Sequence, residues 1–166
     1  TIFPQYDFAR QIAKGKAEVS MLLLPGADSH SFEPTVSDIL AINDCDIFIY
    51  TGGESDSWID SMLKSCNNED MTIISLMDCV DIHKADNSHD HEHNHNHSHI
   101  DEHVWTSPLN AIKIGEKIST EMQKKDPDNS DFYKNNLEEY KEKLLNLDSQ
   151  FRKITENASK DTLIFA

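Results

Sequence analysis

Short apolar runs alternate with amphipathic segments along the first eighty residues. The spacing of apolar positions predicts helices over 8–14, 37–42 and 58–64, with Thr35 or Ser37 available to cap the second of them. Runs rich in β-branched and aromatic residues predict strands ending near Ile2-Phe3 and over 19–24, 46–50 and 71–76. Strands separated by helices of this length favour a parallel sheet with helices on both faces, and hence an α/β fold.

The second half of the chain is predicted to be mainly helical. Residues 108–125 carry apolar side chains at helical spacing, and Asp126-Pro127-Asp128 ends that helix. Residues 131–154 contain neither Pro nor Gly and predict a long amphipathic helix that follows the sheet. Its apolar positions recur every three or four residues: Leu137, Tyr140, Leu144, Leu147, Phe151 and Ile154. Residues 162–166 resemble a strand that is just beginning, so we expect the chain to be a fragment.

The net charge argues against a nucleic-acid-binding protein, and the short apolar runs argue against a membrane-spanning one. The formal net charge is −15 and no basic stripe exists to neutralise phosphates, which argues against a nucleic-acid partner. The longest apolar stretches fall far short of the roughly 20 residues that cross a bilayer. The chain opens on Thr1 without an initiator Met, so we expect a processed or trimmed amino terminus. Cys45, Cys66 and Cys79 form no CxxC pair and give no evidence for a disulfide.

Residues 83–100 differ from the sequence around them. They are almost free of apolar residues, so they cannot bury enough surface to offset chain entropy, and we expect a disordered loop. Histidine stands at every second position from 89 to 99, which places the imidazoles of an extended chain on one side. Zn²⁺ is the natural cation for such imidazoles, and Ni²⁺ or Cu²⁺ would also bind strongly. The predicted accessory metal ligands here are His89, His91, His93, His95, His97 and His99.

Two further histidines lie in more ordered surroundings. His30 lies between a predicted strand and a predicted helix, where open α/β sheets place their ligands, and His103 lies in a short segment that leads into a helix. Neither lies on an apolar face, so both are candidate metal ligands. Two imidazoles do not complete a zinc site, which takes four ligands. Enzyme motifs are scarce. Gly52-Gly53 is interpreted as a turn, and neither Glu33 nor Glu54 has the spacing of a general base beside a metal ligand.

These motifs resemble the metal-ligand motifs of the zinc and manganese solute-binding proteins of ABC transporters. Residues 24–38, LPGADSHSFEPTVSD, are similar to the first motif of that family, and residues 101–111, DEHVWTSPLNA, to the second. A His-rich insert before the second motif is typical of the zinc-specific members. Two departures exist: Ser29 precedes the first His where Pro or Glu is frequent, and Glu102 stands where Pro is commoner.

The resemblance implies a clamp of two α/β lobes joined by one rigid helix. Residues 1–126 would form the amino-terminal lobe, 131–157 the backbone helix, and 161–166 the start of a second lobe. His30 and His103 would bind the metal, with Glu102 able to approach it, and the other ligands would come from beyond residue 166. The ligand would be Zn²⁺ rather than Mn²⁺, and the partner an ABC transporter permease. The protein would be extracytoplasmic, in the periplasm or on the cell surface through a lipid anchor outside this sequence.

Two other classes of function remain open from the sequence. One is a zinc hydrolase fragment, in which the metal activates water, although no base motif supports an enzyme. The other is a His-rich storage or surface protein, in which the loop carries the whole function. Zinc binding after deletion of residues 89–99 separates these classes, since only a storage protein would lose all of it.

Overall fold

The computed structural model describes residues 1–24, 26, 32–81 and 101–159. Seven regular elements follow in chain order, together with short 3₁₀ turns: α1 Phe3–Ala13, α2 Val36–Asn43, β1 Ile47–Tyr50, α3 Ser57–Leu63, β2 Thr72–Ser75, α4 Pro108–Lys125 and α5 Ser130–Glu156. The predicted strand at 162–166 and the predicted disordered loop at 83–100 lie outside the described residues. No helix in the described ranges is both long and apolar enough to cross a membrane.

The strands β1 and β2 lie parallel, with Ile47 opposite Thr72 and Tyr50 opposite Ser75. The hydrogen bonding continues on the other side of β1, where the Thr1 nitrogen donates to the Ile49 carbonyl at 2.8 Å. The Leu23 nitrogen in turn donates to the Thr1 carbonyl at 3.1 Å. Backbone from the first predicted strand therefore lies beside β1, and Leu23 from the second lies beside Thr1.

Two of the strand predictions are nevertheless wrong in detail. Residues 19–24 form no regular strand, because only Leu23 makes the inter-strand bond. The predicted strand end at Ile2-Phe3 is a helix start: Phe3 is the first residue of α1, five residues before the predicted start. The Gln5 Oε1 atom accepts the Ile2 N–H at 3.0 Å, and Pro4 suits a first helical turn because it lacks the N–H that a helix start leaves unpaired.

Helices cover both faces of the sheet. Side chains of β1 alternate: Ile47 and Ile49 pack against one apolar cluster, and Phe48 and Tyr50 belong to a second. The first cluster joins α1, β2, α4 and α5, while the second joins β1 to α2 and α3. The predicted fold class, a parallel α/β sheet followed by a long helix, is confirmed.

The apolar stripe of α5 is buried over only part of its length. Tyr133 and Leu137 lie in the core against α1 and α4, and Leu144 is the last buried residue of the helix. Beyond it, Leu147, Phe151 and Ile154 are 41 %, 54 % and 64 % exposed. The stripe predicted as one continuous apolar face therefore packs on the described residues only in its first half.

Buried polar bonds fix α5 against the rest of the fold. The Tyr133 hydroxyl donates to Asp126 Oδ2 at 2.6 Å, at the junction between α4 and α5. The amide of Asn136, which is 5 % exposed, donates to the Ile12 carbonyl of α1 at 2.9 Å. A buried polar group without a partner is costly, so each bond specifies the position of α5.

Replacing Tyr133 with Phe should lower the free energy of unfolding by about 1–3 kcal/mol at neutral pH, because a hydrogen bond to a carboxylate is lost. Burial, and then the bond to Asp126, raise the pKa of Tyr133 to about 12. The neutral phenol is favoured in the folded chain, so its contribution is present below pH about 10 and is lost as the pH rises towards 12. Urea unfolding at pH 8 and pH 11 measures both effects.

Tyr140→Phe is the matched control, because burial and the charge of Asp7 raise the pKa of Tyr140 to about 12 without a hydrogen bond to Asp126. We expect Tyr140→Phe to reduce the same pH dependence with a smaller loss of stability at neutral pH. Equal losses for both variants would contradict the role assigned to the bond between Tyr133 and Asp126.

Candidate metal centre

The segment that carries His103 is held at the beginning of α4. Residues Val104–Thr106 form a 3₁₀ turn, and the Thr106 hydroxyl donates to the His103 carbonyl at 2.8 Å. The Asn110 side chain donates to the Val104 carbonyl at 3.1 Å, and Ser107 caps the helix by accepting the Asn110 N–H at 3.4 Å. The backbone of His103 is thus tied to a rigid element.

The His103 imidazole is oriented by its neighbour Asp101. Its Nδ1 atom lies 2.8 Å from Asp101 Oδ1, and the same carboxylate oxygen accepts the His103 backbone N–H at 3.0 Å. These two hydrogen bonds lower the pKa of Asp101, so that carboxylate stays charged. A charged acceptor favours the tautomer with the proton on Nδ1, which leaves the Nε2 lone pair available. Carboxylate–imidazole pairs of this kind orient histidine ligands in metal sites.

The His103 imidazole is largely exposed to solvent. The side chain is 67 % exposed, and its ring lies 5.2 Å from the Trp105 ring, centroid to centroid. An exposed imidazole whose Nδ1 is held by a carboxylate has Nε2 left to bind a divalent cation. This arrangement fits zinc, for which neutral imidazole is a preferred ligand.

The neighbouring Glu102 turns towards the end of the sheet. Its Oε1 atom accepts the N–H of Glu54, in the turn that follows β1. His103 therefore lies at the carboxyl end of the sheet, where open α/β folds place their ligands. The turn at Gly52-Gly53, predicted from the sequence only as a turn, leads to Glu54 and so lies beside the segment that carries His103. The accessory metal role of Glu102 stays a prediction.

Asp56 organises that turn, although it was not among the site residues predicted from the sequence. Asp56 is 6 % exposed, and its Oδ2 atom accepts the N–H groups of Thr51 at 2.8 Å and Gly52 at 3.0 Å. Burial raises the pKa of Asp56, and these two hydrogen bonds lower it in part. An Asp that follows a Gly-Gly turn and precedes a helix is the signal in the sequence that could have indicated this role.

His30 lies outside the described residues, as do all six histidines between 89 and 99. The described chain resumes at Phe32, whose ring meets the Trp58 ring edge-on at 5.2 Å. Thr35 then caps α2 by accepting the Asp38 N–H, so the segment after His30 is anchored on α2 and α3. Within the described ranges, no three His, Cys, Asp or Glu side chains lie close enough together to hold a metal ion.

A cavity of about 780 Å³ lies away from this centre. It is bordered by residues 16–22 and by the beginning of β1, and His103 is not among its lining residues. The cavity therefore lies towards the amino ends of the strands, while His103 lies at their carboxyl ends. The two features are separate, and the cavity contributes nothing to the metal centre.

The chain as a whole matches one family of proteins. All 166 residues match the family model described as zinc-uptake complex component A, periplasmic, and the chain belongs to that family. The family consists of solute-binding proteins for zinc uptake rather than enzymes, which confirms the expectation that this chain is not an enzyme. The resemblance found in the two histidine motifs is confirmed as well.

Individual relatives agree with the family assignment. The chain is 37 % identical to the high-affinity zinc uptake system protein ZnuA of Bacillus subtilis, over 99 % of this chain and 53 % of the relative. A crystal structure of the metal-dependent lipoprotein YcdH from Bacillus subtilis covers 95 % of this chain with a TM-score of 0.81 and 32 % identity, and 55 % of that structure is matched.

A second solved structure has a metal in place. The Zn(II)-bound ZnuA-like domain of Streptococcus pneumoniae AdcA matches 95 % of this chain with a TM-score of 0.79 and 26 % identity, over 54 % of that domain. The chain thus spans about half the length of each of these three matched proteins.

Proposed function

We propose that this chain is the first, metal-binding lobe of an extracytoplasmic protein that captures Zn²⁺ and delivers it to an ABC transporter permease. The observation that carries the proposal is the His103 imidazole, whose Nδ1 is bound by Asp101 and which is largely exposed at the carboxyl end of the sheet. The names of the relatives, which describe zinc uptake and a bound Zn(II), support zinc as the ion.

His30 is the second proposed ligand from this lobe. It belongs to the first of the two motifs, between Leu23, which bonds to Thr1, and Phe32, which packs on Trp58. Two imidazoles leave a tetrahedral zinc ion short of ligands, so the remainder come from a second lobe. Imidazole donors favour zinc over manganese, for which oxygen ligands are better suited.

The second lobe is proposed to follow α5, which joins the two. Relatives extend to about twice the length of this chain, and the exposed stripe at Leu147, Phe151 and Ile154 offers an apolar surface for packing. Residues 1–126 form the first lobe in this proposal, 131–157 the connecting helix, and 161–166 the beginning of the second lobe. One connecting helix permits only modest movement between lobes, so release of the ion depends on the permease.

The histidines from 89 to 99 serve a separate role in this proposal. They raise the local zinc concentration near the site without forming a single rigid site. The similarity to a protein described as a lipoprotein supports a location outside the cytoplasm, on the cell surface or in the periplasm.

Zinc titration of the two-lobed protein by calorimetry tests the proposal. We expect one tight site, which is weakened by His30→Ala and by His103→Ala but survives deletion of residues 89–99. A storage protein would give the opposite result, because the deletion would remove all binding and the two substitutions would change nothing. Hydrolysis of ester or peptide substrates by the zinc-loaded protein would instead support a hydrolase.

Removing the carboxylate of Asp101 should weaken zinc binding without removing the ligand. We expect Asp101→Ala to reduce zinc affinity about 10–100-fold, as is usual when a group that orients a histidine ligand is lost. Competition with a zinc chelator measures the change. Asp148→Ala is the matched control, because Asp148 pairs only with Arg152 among the ion pairs seen here and lies on α5 beyond its last buried residue. An unchanged affinity for Asp101→Ala would contradict the orientation of His103 described above.

A further inference from the structure

Glu102 makes a contact that neither its position in the sequence nor the resemblance explains. It lies between the oriented His103 and its partner Asp101, yet its carboxylate points to a different part of the chain. The Oε1 atom accepts the backbone N–H of Glu54, 48 residues earlier. A charged acceptor makes this a stronger hydrogen bond than one between neutral groups. The segment before α4 is thereby joined to the turn after β1.

The absence of a side chain at Gly53 leaves room for the Glu102 side chain. Gly53 has φ of 84° and ψ of −164°, a backbone conformation that is almost confined to glycine. A Cβ atom built at Gly53 would lie only 2.7 Å from Cγ of Glu102, closer than carbon atoms can approach. The missing side chain at position 53 therefore provides the space that Glu102 occupies.

The turn that receives Glu102 is itself fixed to the core. Asp56 holds the N–H groups of Thr51 and Gly52 through one carboxylate oxygen. The Thr51 hydroxyl accepts the side-chain N–H of Gln5, from α1, at 2.7 Å, and Gln5 is 1 % exposed. Hydrogen bonds thus tie the turn to α1, and the backbone from Gly52 to Glu54 links that turn to Glu102, the residue beside His103.

We propose that Glu102 is a positioning residue of the zinc site and not a metal ligand. Its bond to the backbone of Glu54 fastens residues 101–103 to the turn, so that His103 presents its outer nitrogen in one place before an ion arrives. This proposal rests on the proposed function of His103 as a zinc ligand. Prepositioning of this kind improves affinity because the ligand does not have to be ordered when the ion binds.

Zinc affinity of three variants of the two-lobed protein tests the role. We expect Glu102→Ala to weaken binding about tenfold or more, within the range usual for outer-shell groups. Glu102→Gln should stay within about threefold of the parent protein, because an amide oxygen still accepts a hydrogen bond. Glu54→Ala is the matched control, because it removes the Glu54 carboxylate but keeps the backbone N–H that bonds to Glu102. We expect no change in its zinc affinity. Equal losses in the Gln and Ala variants would overturn the proposal.

The absorption spectrum of bound Co²⁺ separates positioning from ligation. Cobalt substituted for zinc reports the number and type of ligands through its visible bands. A positioning residue leaves these bands unchanged in Glu102→Ala at saturating Co²⁺. Bands that change with the loss of the Glu102 carboxylate would identify it as a ligand and overturn the proposal.

Hydrogen exchange in the metal-free protein tests the contact without any ion. We expect the Glu54 amide to exchange about tenfold faster or more in Glu102→Ala, and Gly53→Ala to have the same effect by displacing Glu102. Unchanged exchange in Glu102→Ala would overturn the proposal while leaving the zinc site itself intact. If His103→Ala leaves zinc affinity unaltered, the proposed function fails and the positioning role fails with it.

Discussion

Replacing His103 with alanine will weaken zinc binding by the two-lobed protein about 100–1,000-fold. Zinc sites with four protein ligands bind with roughly 10–16 kcal/mol, so one ligand accounts for about 3–4 kcal/mol, and each 1.4 kcal/mol is a factor of ten. The full loss is expected because His103 is already oriented: Asp101 holds Nδ1 at 2.8 Å and the backbone N–H at 3.0 Å. Calorimetric competition with a chelator of known affinity measures it.

The matched control for this variant is the same substitution in the His-rich segment. We expect His95→Ala to change the affinity of the tight site less than about twofold, because five similar imidazoles remain around it. The His103 side chain is 67 % exposed, so the metal-free variant should unfold at the denaturant concentration of the parent protein. A tight site that persists in His103→Ala would remove His103 from the set of ligands.

Replacing Ile114 with alanine should have the largest effect on stability of the substitutions considered. Ile114 is fully buried at the middle of α4, in the cluster that joins α1, β2 and α5. Alanine favours the helix, so the loss comes from the missing contacts and the cavity left behind, which for isoleucine amounts to about 2–5 kcal/mol. Urea unfolding gives the free energy, and an unchanged slope with denaturant shows that the folded state remains compact.

Leu109→Ala provides the comparison on the same helix. Leu109 is 39 % exposed, so we expect its replacement to cost less than half as much as that of Ile114. Similar costs at the two positions would mean that α4 does not bury the face described here.

The elements that the sequence predicted well have strong local signals. The bounds of α4 were predicted to the residue because Ser107 caps it, Pro108 begins it, and an Asp-Pro pair follows it. The strands β1 and β2 were each predicted within one residue at either end, since their apolar runs end at turns. The weaker predictions concern α1 and residues 19–24. The start of α1 depends on the Gln5 side chain, and the pairing of residues 19–24 depends on a single hydrogen bond from Leu23 to Thr1.

The candidate site was predictable only in part, for a physical reason. His103 and Asp101 are two residues apart, so a motif contains both, although the hydrogen bond between them is a property of the folded chain. The contact of Glu102 with the turn at Gly53 and Glu54 joins segments that the fold brings together, and no local pattern indicates it. Asp56 differs, because its partners Thr51 and Gly52 lie within five residues of it and the Gly-Gly turn before it is a local signal.

The partly buried α5 also has a mechanical consequence. Its last twelve residues, beyond the final buried leucine, extend about 18 Å at 1.5 Å per residue. Two hydrogen bonds hold the buried half of α5 in place: Asn136 to the Ile12 carbonyl, and Tyr133 to Asp126. A tilt of about 5° at Leu144, where α5 leaves the core, would displace the end of the helix by roughly 1.6 Å. That displacement is a large fraction of a zinc–ligand bond length of about 2 Å. A small change in the angle of α5 would therefore move whatever follows its carboxyl end by a distance comparable to a zinc–ligand bond.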